Sequence, residues 1–320
     1  MRGAFKITVC FSAVFLGLLA CRPAFAGDRP SPSLWGRIAG FFGYGGDVAM
    51  SHQGEEIFLK LQSLEQQANF DDFLAGHPVL KAAMFTKNPE DLTSQERATL
   101  KGLLGRHVIG PLRALEGPID ALPDEADRAG LMAYLDLILS NIGIHQTGDR
   151  GEAIDFAQRA DHLIRKAVRL KHNSYYYTFY GDVQMQFIPL LAGSSIPFYA
   201  TNAEYSYVNA LRIDKHNARA LAELGTWYVF APGFAGGSTV RALQLFRDAR
   251  SQKGVSVYIR YYSYLWQAFA LSKDYKFTDA LSSVGEALKI APDAPSALRV
   301  QYWLNKGVSP YVQITSYRGS

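Results

Sequence analysis

The fold of this chain is decided by residues 261–292, which read YYSYLWQAFALSKDYKFTDALSSVGEALKIAP. The first part has apolar residues at i, i+3, i+4 and i+7, the spacing of a helix with one buried face; these residues are Tyr261, Tyr264, Leu265, Ala268 and Leu271. After the polar break Ser272-Lys273-Asp274, a second helical run ends before Pro292, which cannot continue a helix. In that run, Ala280, Val284 and Ala287 share one side, so the two helix axes can approach closely. The stretch therefore predicts a tight helical hairpin.

The same arrangement recurs at earlier positions in the chain. Leu221, Leu224, Gly225 and Tyr228 fit a first helix, and the matching second-helix sets are Ala160, Ile164 and Ala167; Ala203, Tyr207 and Ala210; and Ala242, Phe246 and Ala249. Measured back from Pro292, the unit resembles the tetratricopeptide repeat (TPR), whose period is about 34 residues. We therefore predict an all-α fold: an α-solenoid of about four TPR-like hairpins, with a helical N-terminal region. The resemblance implies a groove lined by the first helices.

The first residues have the pattern of an export signal. Arg2 and Lys6 precede a largely apolar run, Ile7 to Cys21, that is shorter than the roughly 20 residues a membrane span needs. Two cleavage sites are consistent with it. Small residues at Ala24 and Ala26 predict a mature chain that starts at Gly27, whereas Leu18-Leu19-Ala20-Cys21 resembles a lipoprotein box, in which Cys21 is lipidated and becomes the first residue. Both alternatives predict an exported, periplasmic protein, and the second predicts one anchored to a membrane.

The whole chain divides into four segments that differ in composition. We predict an export signal over 1–26, a linker and helical region over 27–122, a TPR-like repeat domain over 123–307 and a C-terminal tail over 308–320. The only cysteines, Cys10 and Cys21, lie in the signal, so no disulfide is expected within the mature chain. Removing residues 1–26 leaves 30 basic residues against 29 acidic ones. This near-neutral balance argues against nucleic acid as a partner.

The N-terminal region carries two notable patterns. Residues 34–42 combine apolar and aromatic residues at helical spacing with several glycines, which fits either a membrane-surface contact or an arm packed on the repeat body. Further along, Thr93 and Glu96 have the spacing of a capping box at a helix start. Asp124 and Glu125 similarly indicate the start of the next helix, where acidic side chains are favourable.

The sequence offers few signs of catalysis or of metal binding. Its histidines, His52, His77, His107, His145, His162, His172 and His216, lack the spacing of a metal-binding helix motif. No nucleophile elbow of the G-x-S-x-G kind is present, and Gly236-Gly237-Ser238 lacks the lysine of a phosphate-binding loop. We therefore expect no enzymatic activity, no cofactor and no metal. The alternative is a periplasmic hydrolase or lyase with its site in two enlarged loops, 192–201 and 231–238.

The loop at residues 232–238 is the most unusual local feature. Its amides at Gly236 and Gly237, with Ser238 as a helix cap and Arg241 as a charged partner, have the composition of an anion-binding helix start. The competing interpretation is that the loop only closes a long hairpin and packs Phe234 into a gap. The segment P-x-x-x-G-G-S, followed by A-x-x-x-F-x-x-A, resembles the periplasmic T components associated with tripartite (TRAP) solute transporters, over about residues 175–304.

A second group of candidate binding residues lies on the predicted first helices. These residues are Tyr176, Asp182, Gln186, Arg219, Glu223, Thr226, Phe230 and Tyr262. Tyrosine suits either a core or a groove, because its ring is apolar and its hydroxyl is polar. We predict a binding or scaffold protein of the cell envelope whose groove holds a protein partner, a peptide or a small exported solute. Candidate ligand contacts are these residues together with Phe234, Gly236, Gly237, Ser238 and Arg241.

Overall fold

The computed structural model describes residues 48–70, 74, 76–86, 91–191 and 195–316. The predicted export signal and the aromatic segment 34–42 lie outside these residues. Within them, every extended regular element is a helix. We number the α-helices α1 His52–Phe70, α2 Pro78–Thr86, α3 Ser94–Leu104, α4 Gly110–Arg113, α5 Glu116–Asp120, α6 Glu125–Ile142, α7 Arg150–Leu170, α8 Ser174–Leu190, α9 Ile196–Ile213, α10 Ala218–Phe230, α11 Thr239–Ser251, α12 Val257–Lys273, α13 Phe277–Ile290, α14 Pro295–Asn305 and α15 Pro310–Ser316.

Helices α6 to α13 form consecutive hairpins, in which α6 packs on α7, α8 on α9, α10 on α11 and α12 on α13. The first helices of these hairpins lie side by side, because α8 contacts α6 and α10, and α12 contacts α10. We call the face formed by α6, α8, α10 and α12 the groove. The predicted all-α fold of repeated helical hairpins is confirmed.

The predicted second-helix positions form the centre of each hairpin. All of them have no exposed surface: Ala160, Ile164 and Ala167; Ala203, Tyr207 and Ala210; Ala242, Phe246 and Ala249; Ala280, Val284 and Ala287. Small side chains at these crossings allow close approach of the helix axes, as the sequence predicted.

Glycine on a first helix is matched by an aromatic ring on the second. A Cβ on Gly181 would lie 2.4 Å from the ring of Tyr207, and one on Gly225 would lie 2.7 Å from the ring of Phe246. Both distances are shorter than a van der Waals contact, so these positions accept only glycine at the present spacing. In the last full hairpin Ala268 takes the place of the glycine, and the matching second-helix residue is the smaller Val284, which is fully buried.

Sequence reasoning misplaced one connection between helices. We predicted a loop over 192–201, but α9 begins at Ile196, so most of that stretch is helical. Pro197 lies in the first turn of α9. Proline is tolerated in the first turn of a helix, where the backbone N–H has no intrahelical partner. The second long connection is present as predicted, between the end of α10 at Phe230 and the start of α11 at Thr239.

The described N-terminal region packs on the groove. The backbone N–H of Ser51 donates to Asp127 at the start of α6, at 2.7 Å. Further along α1, the ring of Phe58 lies 4.8 Å from that of Tyr175 on α8. At the end of α1, the ring of Phe70 lies 4.9 Å from that of Tyr261 on α12. Helix α1 therefore extends from the first hairpin of the solenoid to the last full one.

Helix α2 and the C-terminal helix α15 both pack on helices near the end of the solenoid. Helix α2 packs on α14, and Lys81 lies 3.0 Å from Asp293 in an ion pair. The predicted C-terminal tail contains α15, which packs on α12; the Ser309 hydroxyl donates to the Ser272 carbonyl at 2.8 Å. The capping box of Thr93 and Glu96 is present at the start of α3. No helix in the described ranges has the length and apolar character needed to cross a membrane.

Candidate functional site in the groove

The centre of the groove is an ionic network around Arg219, the second residue of α10. Its guanidinium makes a two-pronged contact with Glu65 of α1, at 2.7 and 2.9 Å. Its Nε donates to Asp182 of α8 at 3.0 Å. Arg219 is only 5% exposed, so these charges interact in a largely dry environment. Arg219 therefore joins the N-terminal helix to two first helices of the solenoid.

Aromatic side chains complete the network. Tyr134 of α6 donates its hydroxyl to Glu65 at 2.5 Å, and its ring lies 5.1 Å from the Arg219 guanidinium carbon. Tyr207 of α9 donates to Asp182 at 2.9 Å. Burial raises the pKa of Asp182, and the neighbouring charge of Arg219 opposes this shift. Burial also raises the pKa of the Tyr207 hydroxyl, which keeps it a donor.

A second group of predicted residues lies one to three turns further along α10, where the groove is partly exposed. Tyr262 of α12 donates its hydroxyl to Glu223 at 2.9 Å. Beside them, the ring of Phe230 lies 5.3 Å from that of Trp266, in an edge-to-face contact. Glu223, Phe230, Tyr262 and Trp266 are all partly exposed, while Thr226 is buried between α10 and α12. We call these five residues the open part of the groove.

The electrostatics of Glu223 differ from those of Glu65 and Asp182. Among the described residues, its hydrogen bond comes from Tyr262, and Arg219 donates to the other two carboxylates instead. Burial raises the pKa of Glu223 well above its ordinary value, and the charge of Asp182 raises it further. The open part of the groove therefore contains a carboxyl group that is poorly compensated by positive charge.

A cavity of about 200 Å³ lies beside the network, between α1 and the starts of α10 and α12. Its lining includes Leu59, Gln62, Glu65, Arg219 and Tyr258. The cavity is therefore bounded on one side by the N-terminal helix, and its size suits a small molecule rather than a folded segment of chain.

The structure places other predicted residues away from the open part of the groove. Tyr176 is fully buried, and its hydroxyl donates to Asp127 at 2.6 Å, so the expectation that it lines the groove is corrected: it is a core residue. Its burial follows from Gly130, where a Cβ would lie 2.5 Å from the Tyr176 ring. Gln186 donates to Asn141 of α6 at 2.6 Å and bridges two first helices.

The glycine loop forms a separate turn. The amides of Gly236 and Gly237 donate to the carbonyls of Gly233 and Pro232 at 3.1 and 3.0 Å. The Ser238 hydroxyl accepts from the backbone N–H of Arg241, at 3.3 Å, as the predicted helix cap. The guanidinium of Arg241 lies 5.6 Å from the ring of Tyr228, and Phe234 is 62% exposed. Anion binding at these amides would require their present hydrogen bonds to break.

Sequence reasoning missed Glu65 and Tyr134 as members of the groove. A signal for Glu65 was present, because it falls on the apolar stripe of Ile57, Leu61 and Ala68. A carboxylate on a buried helix face requires a partner. Identifying Arg219 as that partner, 154 positions away, required the tertiary structure.

In the part of the chain that the structure describes, no cluster of three or more His, Cys, Asp or Glu side chains is arranged to hold a metal ion. Comparison with models of known protein families and with curated protein sequences found no match for this chain.

Proposed function

We propose that this chain is an exported helical-repeat binding protein that holds a small solute in the open part of its groove. The observation that carries the proposal is the partly exposed face of α10 and α12, where Glu223 and Tyr262 lie next to Phe230 and Trp266. Binding sites for small molecules are commonly concave and apolar, with a few polar groups that fix orientation. This face combines apolar rings with two polar groups, Glu223 and Tyr262.

The position of α1 selects a small solute over the two larger ligands predicted from the sequence. A peptide or a partner protein would need a groove open along several first helices. Here α1 covers that face, and Leu61 and Glu65 of α1 are almost completely buried. A small solute needs contact only with the partly exposed side chains of α10 and α12.

The alternative of a hydrolase or lyase has less support. It placed the site in two enlarged loops, but residues 196–201 belong to α9 and the amides of Gly236 and Gly237 are engaged in the turn. We therefore retain binding as the proposed function.

Native mass spectrometry of the protein purified from its own host tests the proposal. We expect a retained small molecule that is released on unfolding and lost from a Tyr262→Ala variant that keeps the normal melting temperature. A co-purifying protein or peptide in place of a small molecule would overturn the proposal.

The exported location is a separate part of the proposal, since it depends on residues 1–26. Analysis of the N-terminus of the same material should find either Gly27 or a lipidated Cys21. A mature protein that retains Met1 would contradict both alternatives.

A further inference from the structure

The open part of the groove, taken together with the ionic network beside it, contains more carboxyl groups than positive side chains. Glu65, Asp182 and Glu223 contribute carboxyl groups, whereas the positive side chain in their network is that of Arg219. The Arg219 donors are used by Glu65, Asp182 and the Tyr134 hydroxyl. Glu223 therefore has no hydrogen bond from a positive side chain among the described residues, and the charge of Arg219 offsets the effect of its burial only in part.

Aromatic faces surround this carboxyl group on the side that is partly exposed. The ring of Tyr262 lies 5.9 Å from that of Tyr258 and 5.7 Å from that of Trp266. These residues are spaced one helical turn apart on α12, so their rings follow the groove. The electron-rich faces of Trp and Tyr rings attract cations, most strongly when water is excluded.

We propose that the open part of the groove binds a small organic ammonium ion, with its charge beside Glu223 and its apolar groups against Tyr262, Trp266 and Phe230. This inference rests on the proposed function and names the chemical class of its solute. A neutral solute of the same shape would leave Glu223 without a cation beside it, and an anion would lie next to a carboxyl group that accepts no hydrogen bond from a positive side chain among the described residues. Complementary charge therefore selects the cation.

Binding should release a proton. The ionisable groups that interact with Glu223 are Glu65 on α1, Asp182 on α8, Tyr207 on α9, Arg219 on α10, and Tyr258 and Tyr262 on α12. Burial raises the pKa of Glu223, so the free protein keeps the proton of this group to a higher pH than an ordinary carboxyl group would. A bound ammonium ion favours the carboxylate, so the carboxyl proton passes to the buffer while the Tyr262 hydroxyl continues to donate to Glu223.

Isothermal titration calorimetry on the mature protein tests this inference. The probes are choline, tetramethylammonium and putrescine, with 3,3-dimethylbutan-1-ol as the neutral compound of the same shape as choline. We expect at least one cation to bind at least about tenfold more tightly than the neutral compound. The heat of binding should differ between phosphate and Tris buffers, because the released proton is taken up by buffers with different ionisation enthalpies.

Two variants identify the group responsible. Glu223→Gln should weaken binding of the cation at least about tenfold and remove the buffer dependence, without lowering the melting temperature. Glu286→Gln, an exposed change on α13, is the matched control and should leave the affinity unchanged. Any one of three results would overturn the inference. The neutral compound binds as tightly as the cations, the affinity is unchanged in Glu223→Gln, or no cation binds at millimolar concentration. A neutral or anionic solute found by native mass spectrometry would overturn it too, while leaving the small-solute function intact.

Discussion

Arg219 makes hydrogen bonds to two carboxylates that come from different helices, Glu65 on α1 and Asp182 on α8. Because Arg219 is almost fully buried, removing its charge leaves both carboxylates in a dry environment. The protein must then either protonate the two carboxyl groups or open the groove. Either outcome weakens the attachment of α1.

We expect Arg219→Met to lower the free energy of unfolding by about 3–5 kcal/mol. Lys289→Met, which removes an exposed partner of Glu286, is the control and should cost no more than about 1 kcal/mol. Denaturant titration of the three proteins measures both values. Similar stabilities for the two variants would show that the Arg219 network is not buried as described.

Glu223 should make stability depend on pH. Its pKa in the folded protein is raised above the ordinary value of 4.5 by burial and by Asp182, so folding favours the protonated form. The stability from this group is complete below the unfolded pKa and is lost as the pH rises through the folded pKa. Relative to Glu223→Gln, the natural protein should therefore lose free energy of unfolding as the pH rises above the ordinary carboxyl range and through the raised pKa of Glu223. Parallel pH curves for the two proteins in urea titrations would refute this assignment.

At the scale of elements, the hairpins depend on small residues at helix crossings. Ala280 has no exposed surface and lies between α12 and α13. Ala280→Leu should overpack this crossing and cost about 1–3 kcal/mol. Ala98→Leu, at an exposed position on α3, is the control and should change stability little. Equal melting temperatures for the two variants would mean that the repeat register is misplaced.

The glycine loop is expected to be needed for the α10–α11 connection. Gly236 has a φ of +102°, and a Cβ on Gly237 would lie 1.8 Å from the carbonyl oxygen of Ala231. Replacing both glycines with alanine should therefore lower the melting temperature, whereas Phe234→Ala, at an exposed position, should leave it nearly unchanged. Thermal unfolding followed by circular dichroism compares them. A double variant as stable as the natural protein would show that the turn can adopt another conformation.

The hairpins were predictable because their signals are local. These signals are small residues at fixed spacing, a glycine opposite an aromatic ring and a capping box such as that of Thr93 and Glu96. Each of them depends on residues that are near in the chain. The start of α9 was missed because Pro197 is compatible with either a loop or a first helical turn. The groove was harder to predict, since Glu65 meets Arg219 across 154 positions and no spacing rule connects them.

At the scale of the whole molecule, the N-terminal region belongs to the same core as the repeats. Phe58 packs near Tyr134 and Phe179, and Phe70 joins the aromatic residues of α12. The predicted boundary at residue 122 therefore separates two patterns in the sequence but crosses a continuous core. The stretch of the groove between α10 and α12 remains partly exposed.

Helix α1 is a fixed part of the groove, held there by Arg219. Hydrogen–deuterium exchange of the mature protein tests this directly, residue by residue. We expect the backbone amides of residues 56–70 to exchange as slowly as those of α6 and α8, because Leu61 and Glu65 are buried. In Arg219→Met these amides should exchange faster, while those of α13 change less. Helix α1 is not fixed in the groove if residues 56–70 of the natural protein exchange at the rate of unstructured chain while α6 and α8 stay protected.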